Sequence, residues 1–299
     1  MLDPRQLYDL AEPAYATFME RNAGRELVLL HFLDGFVDAG QVGHTLGQQV
    51  LEHSEHEPLA HFDVDQLHDY RSRRPVMTFD TDHWESLRPF ELRLDRVVDR
   101  AGTEFLLLTG PEPDVQWERV SAAVTGLAGE LGVGLAATAY GIPLGVPHTR
   151  PTTITGHSTH GNLEQDNALW LGRIEVPGSL GGVLEMRLGE AGVRAVGLAT
   201  HIPHYLAAAP FGQAVLAAHR RLVDLTGLDL PDDGLAEAAE QNLAEINTEM
   251  AASAEVQQVV AGLEEHYDNS GVTQAVPSAD EIGAELERFL ADRDKREGR

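Results

Sequence analysis

The chain contains no cysteine and a single lysine, Lys295. The first absence excludes disulfides, cysteine-ligated zinc, iron–sulfur clusters and cysteine nucleophiles together. The second leaves no lysine for a GxxxxGK[ST] phosphate loop and none in the body of the chain for Schiff-base chemistry. Basic residues are scarce overall, 22 against 48 acidic ones, for a net charge of −26. Binding to phosphate backbones rests on displacing counterions with Lys and Arg, so neither nucleic acid nor an anionic membrane is an expected partner. The uncharged run Leu131–Val146 is short for a bilayer span and carries Pro143. The opening "MLDPRQLYDLAEP" has no basic n-region and no apolar h-region, so no signal peptide is read and a cytoplasmic location is expected.

Hydrophobic residues make up 42% of 299, enough to bury a sizeable core. "ELVLLHFLDG" (26–35) reads as a buried strand ending in turn residues, and Val42, Leu46 and Val50 then mark a helical face with Asp38 as its cap. "EFLLLTGPEPD" repeats the scheme, with a helix over 115–131. "GVGLAATAYGIP" is a third strand, "GGVLEMRLGEAG" a helix and "VRAVGLATHIP" a fourth strand. A helix closed by Gly227 follows. Strands alternating with helices predict an α/β fold in three layers, a mostly parallel sheet with helices on both faces. The stretches 58–80 and 91–102 read as strands of a less regular edge or hairpin.

From Leu228 onward the character changes. Residues 228–299 hold 18 acids and 5 bases, a balance of −13 and half of the total charge. Leu235, Ala239, Leu243, Ile246 and Met250, then Val256, Val260 and Leu263, recur near helical spacing. A further helix over 278–296 begins at Ser278. The chain thus divides into an α/β core, 1–227, and an acidic helical region, 228–299, which packs on the core or serves as an arm for a partner.

Familiar catalytic signatures fail one by one. "GVGLAA" places its glycines before a strand, whereas a dinucleotide fingerprint needs them after one. "GHSTHG" has His160 where the GxSxG elbow needs glycine, and HExxH is absent. The candidate metal ligands are the pair His157 and His160, with Glu164 and Asp166 near in sequence, and the pair His201 and His204. Pro203 stands between the second pair and opposes the helix on which such a spacing works. No cofactor is expected.

Ligands of open α/β sheets bind outside the carboxyl ends of the strands. Three exits here are polar: Asp34 and Asp38; Thr138 and Tyr140, followed by His148, Thr149 and Arg150; and Thr200, His201, His204 and Tyr205. The last two echo each other in Ile142-Pro143 and Ile202-Pro203. Arg150, in a stiff Thr-Arg-Pro loop, is suited to grip a carboxylate or phosphate with two parallel bonds, or to pair with an acid of its own chain. The candidate pocket is therefore Asp34, Asp38, Tyr140, His148, Arg150, His201, His204 and Tyr205.

In order and spacing, "HFLDGFVDAGQVG", "GIPLGVPHTRP" and "ATHIPHYLA" resemble the proteasome assembly chaperone family in its actinobacterial branch. The likeness runs from about Glu26 to Leu225. It implies a fold similar to phosphorylase/hydrolase-like proteins, self-association with a trimer as one such assembly, and a proteasome-related partner. The sequence departs from the family's docking tail, a hydrophobic residue then Tyr near the C-terminus: it ends "DKREGR", and "HYD" at 266–268 is internal. The expectation is a non-enzymatic, oligomeric interaction protein. The alternatives are a nucleoside or anionic-metabolite site at the strand exits and, behind it, a metallohydrolase.

Overall fold

The most apolar segments of the sequence form the centre of one sheet. In this computed structural model residues 2–35, 37–160, 163 and 173–270 are described. Strands β2 (Leu27–Asp34), β7 (Glu104–Pro111), β8 (Val133–Leu144) and β10 (Arg194–Pro203) lie in the order β7-β2-β8-β10, all parallel. Strands buried on both faces read as continuous apolar runs, as these do. Antiparallel strands widen both edges. β1 (Tyr8–Leu10), β3 (Glu55–Phe62) and β6 (Arg93–Val98) extend the β7 side, and β9 (Ile154–Ser158) lies outside β10.

Helices cover both faces, giving the three layers. α1 (Ala14–Arg21), α3 (Trp117–Leu131) and α4 (Leu180–Glu190) bury Phe18, Val124, Leu127, Leu184 and Leu188 against Leu29, Leu106 and Ala136. On the opposite face α2 (Val42–His53) and α5 (Gly212–Thr226) bury Val42, Leu46, Val50, Val215 and Leu222 against Leu30, Leu107, Ala137 and Leu198. The helix ends follow the sequence signals. Gly227 closes α5 at φ 71°, a left-handed conformation that glycine adopts without a Cβ penalty. The Ser179 hydroxyl caps α4 by accepting from the Gly182 amide at 3.2 Å.

Two stretches are decided by strand pairing. Of the edge and the hairpin that the sequence leaves open, β4 (Val76–Asp80) pairs with β5 (His83–Arg88) in a separate hairpin, every residue of which is exposed. "GHSTHG" begins inside β9, because the backbone there pairs along β10 from Ser158↔Val196 to Ile154↔Thr200.

The acidic region begins on the core. Leu228, Leu230 and, from α6 (Leu235–Ala251), Leu235 and Ile246 belong to the same buried cluster as α2 and α5. After Ala252 and Ser253 the chain turns into α7 (Ala254–Ser270). The helix expected over 278–296 lies outside the described residues. The packing of α6 leads to a test. Ile246→Ala lowers unfolding free energy by about 2–4 kcal/mol in one cooperative urea transition. Val259→Ala, at a side chain 46% exposed, leaves the midpoint nearly unchanged.

Candidate functional site

β8 and β10 pair in parallel from Leu135↔Arg194 to Leu144↔Pro203. This register sets Ile202 beside Pro143, so the two Ile-Pro exits lie side by side, offset by one residue. Side chains alternate across a strand. Val196 and Leu198 point into the α2–α5 layer, so Gly197, Ala199 and His201 face the layer of α3 and α4. The pairing then lays out rows on that face: Thr138, Gly197 and His157, followed by Tyr140, Ala199 and Thr155.

Within this grid a hydroxyl, an imidazole and a carboxylate are linked. The Tyr140 hydroxyl lies 2.9 Å from His157 Nε2, and His157 Nδ1 lies 3.0 and 2.9 Å from the two Glu185 oxygens. A carboxylate only accepts, so Nδ1–H donates to Glu185 and Nε2 accepts from the phenol. Gly197 makes this geometry possible, since a Cβ there would overlap the His157 ring. Burial, reinforced by the charge of Glu185, pushes the Tyr140 phenol up to about 12. Tyr140 is therefore neutral at physiological pH, its proton directed at a base.

Next to it His201 is almost fully buried between two hydroxyls, Thr153 at 2.7 Å from Nδ1 and Thr155 at 2.9 Å from Nε2. Burial lowers its pKa to about 4. His31, on β2, is likewise lowered to about 4 by burial. Both rings are neutral near pH 7.

Asp38 serves the other layer. Its carboxylate accepts from the Gly43 and His44 amides at 2.9 Å and from the Gly141 amide at 3.1 Å. It caps the first turn of α2, as its position predicts, but from across a short 3₁₀ turn, Ala39–Gln41. It also ties that turn to β8. Gly141 is required there, because a Cβ would collide with the Ala39 carbonyl. Burial raises the Asp38 pKa, and the three amide donors oppose the rise. Asp34 is exposed and bonds the His44 ring at 2.9 Å.

The loop after β8 joins the acidic helices. The Tyr205 hydroxyl accepts from the His148 amide at 3.0 Å and lies 2.7 Å from its Nδ1, while Nε2 meets Asn247 of α6 at 3.2 Å. The Asn247 oxygen accepts, so Nε2 carries the proton and Nδ1 accepts from Tyr205. Burial lowers the His148 pKa. His204 packs edge-on against Tyr205 with ring centroids 5.3 Å apart. Arg150 grips both oxygens of Asp268 at 2.8 and 2.6 Å and one of Glu264 at 3.0 Å, both on α7. The fork-to-carboxylate geometry expected of Arg150 is present, and the acids are the chain's own.

The eight candidate residues thus fall into three networks instead of one pocket. Asp34 and Asp38 serve α2, Tyr140 and His201 face α3 and α4, and His148, Arg150 and Tyr205 hold the loop to α6 and α7, with His204 packed against Tyr205. His157 belongs with Tyr140, whereas His160 is exposed and bonded by Thr159 at 3.1 Å. Among the described residues no group of three or more His, Asp or Glu is placed to hold a metal ion, and no helix is long and apolar enough to cross a membrane. Glu164 and Asp166 lie outside those residues. Glu185, Thr153, Thr155, Asn247, Glu264 and Asp268 complete the networks. They carry no motif, and only strand register and helix packing bring them in.

An open α/β sheet with its polar groups gathered at the carboxyl ends of parallel strands is the class that fold and site define. Within that class, the chain belongs to the PAC2 family, whose sequence pattern matches residues 32–250. A Mycobacterium tuberculosis protein of unknown function is similar at 40% identity, over 95% of this chain and 92% of its own, with a TM-score of 0.82. A Corynebacterium glutamicum protein of unknown function is similar at 33% identity, over 89% and 98%, with a TM-score of 0.80. A Mycobacterium tuberculosis proteasome-assembly chaperone homologue shares the fold at 23% identity, over 78% and 100%, with a TM-score of 0.71. No curated protein matches the chain.

The buried histidines set a pH dependence. Their folded pKa values lie below the unfolded value, so the unfolded chain takes up protons first as pH falls. Stability is full above about pH 6.5 and declines toward pH 4, by up to ~1.4 kcal/mol per pH unit for each histidine. His201→Gln removes one proton's worth of that slope between pH 6.5 and 4, measured by urea midpoints relative to the parent chain.

Proposed function

We propose that this PAC2 protein is a self-associating protein-interaction module of the proteasome-assembly-chaperone kind, not an enzyme. One observation carries the reading. The β4–β5 hairpin projects Val76, Met77, Phe79, Trp84 and Leu87 into solvent, with Trp84 63% exposed. An isolated two-stranded hairpin is marginal in water, and large contiguous apolar surface marks an interaction site. The segment leading into it holds Arg71, Arg73 and Arg74, three cations within four residues of an acidic chain. A second copy, rich in surface carboxylates, complements that combination. The fold neighbours include one named a proteasome-assembly chaperone homologue, which agrees with a partner of that type.

A second reading follows from the Tyr140–His157–Glu185 chain, which suits an uncharged hydroxyl-bearing ligand such as a nucleoside. The occupation of Arg150 by Asp268 and Glu264 disfavours the anionic metabolite considered beside it.

Light scattering after size exclusion tests the first reading: the parent chain runs as an oligomer, and Phe79→Ser with Trp84→Ser shifts it to a monomer. A monomeric parent refutes self-association, and an unchanged double variant refutes the hairpin contact. Affinity capture from the native cell then enriches proteasome subunits if the partner is of that kind. For the second reading, a nucleoside panel raises the melting temperature of the parent but not of Tyr140→Phe. A flat panel removes it.

A further inference from the structure

Leu67 and His68 are the last buried residues before the β4–β5 hairpin, and Leu92 is the first after it. No side chain between them is buried, so the hairpin's hold on the core is made at this base. The two stems meet there through aromatic rings. Phe90, on the returning stem, contacts His68 with ring centroids 5.3 Å apart and stacks on Tyr70 at 5.9 Å. The loop between β7 and α3 ties the base down. The Asp114 and Val115 amides donate to the Leu67 carbonyl at 2.9 and 3.3 Å, and the Asp69 amide donates to the Asp114 carboxylate at 2.7 Å.

His68 is the odd member of this base. Its side chain is wholly buried, and among the described residues neither ring nitrogen has a hydrogen-bond partner. Asp114 Oδ2 lies 3.7 Å from Nδ1, beyond hydrogen-bond reach, and already accepts from Asp69. A phenylalanine would pack on Phe90 without leaving an N–H and a lone pair unmet. Two charges face the ring: Asp114 from the β7–α3 loop and Arg73 from its own stem, whose Nη2 stands 3.7 Å from Asp114 Oδ1. The returning stem offers only the uncharged Phe90. Burial outweighs the attraction of Asp114, Arg73 adds to it, and the pKa falls below the ordinary 6.5. A freed ring therefore takes up its proton at a higher pH than the packed one. The base is fully closed above pH 6.5 and weakens as pH falls, its opening constant rising by up to about tenfold per unit until the packed ring titrates.

We infer that His68 is an acid-sensitive pin at the base of the hairpin: neutral, it holds both stems on the core; protonated, it leaves the core and frees the hairpin. A histidine suits this task because its charge changes within the range of pH that a cell or compartment spans. The pin follows from the packing of the base and needs no assembly. Its consequence, that acid detaches neighbouring copies from one another, rests on the self-association reading.

The test is amide hydrogen exchange of the full-length chain at pH 7.5 and pH 5.5, each normalised to the intrinsic exchange rate at that pH. The reporting amides are those of Asp69, Asp114 and Val115, whose bonds close the base, and the amides of α3 serve as the reference. Protection of the base is expected to fall at least about threefold more than that of α3 on going to pH 5.5. His68→Phe, which keeps a ring and cannot titrate, removes the difference, and His68→Gln removes it as well. A parent base that loses no more protection than α3 overturns the pin, a measurement that needs no variant to fold. A difference that persists in His68→Phe and His68→Gln also overturns it. Light scattering at the same two pH values reads the consequence. An oligomer that dissociates at pH 5.5 in the parent but not in His68→Phe supports it, and an oligomer that stays intact while the base opens refutes it. A parent that is monomeric at pH 7.5 refutes the self-association reading alone, and the exchange measurement still decides the pin.

Discussion

The parallel ladder between β8 and β10 is the constraint on which the rest of the molecule depends. Its register sets the Ile142-Pro143 and Ile202-Pro203 exits side by side, and each exit then sends a stiff loop in a fixed direction. Small residues along the ladder allow other groups close approach. Gly141 admits the turn held by Asp38, and Gly197 admits the His157 ring. A one-residue slip would exchange the faces of every side chain on the slipped strand, moving Tyr140 or His201 into the α2–α5 core. The separation of polar groups into a Tyr–His–Glu face and an Asp38 face is a consequence of that register.

A second theme is the use of few cations among many acids. With 22 basic residues against 48 acidic ones, carboxylates far outnumber cations, and several arginines serve as ties between distant segments. Arg96 joins β6 to Glu104 of β7 and Glu55 of β3, Arg187 joins α4 to Glu118 of α3, and Arg100 joins the β6–β7 turn to Asp232 and Asp233. Arg150 is one more such tie, to α7. The acidic C-terminal region is thus attached partly by apolar burial through α6 and partly by exposed charge through α7. Those two modes respond differently to salt, since exposed pairs are screened and buried apolar contacts are not.

Much of the fold was legible. The four central strands, the helices that follow them, the Gly227 stop and the α6 and α7 stripes all follow from apolar periodicity and capping residues. The hairpin β4–β5 was not separable from an edge strand, because alternation predicts a strand and not its partner. β9 was hidden for a different reason. Its residues, Ile-Thr-Gly-His-Ser, are too polar to announce a strand, and pairing with β10 alone creates it. At the candidate site, types were legible and partners were not. Arg150 reads as a carboxylate grip from its Thr-Arg-Pro setting, yet the identity of the carboxylate, 118 residues downstream, is a matter of how α7 folds back.

The sequence by itself determined the layer architecture, the polarity of the strand exits and the exclusion of cysteine, lysine and phosphate-loop chemistry, because these depend on residue type and local spacing. Tertiary structure alone decided which polar groups meet. It placed Glu185 behind His157, Thr153 and Thr155 around His201, and Asp268 against Arg150, and it divided one presumed pocket into three networks. The physical reason is that a hydrogen bond or ion pair needs atoms within about 3 Å. Such proximity between segments distant in sequence is set by strand register and helix docking, which no local pattern encodes.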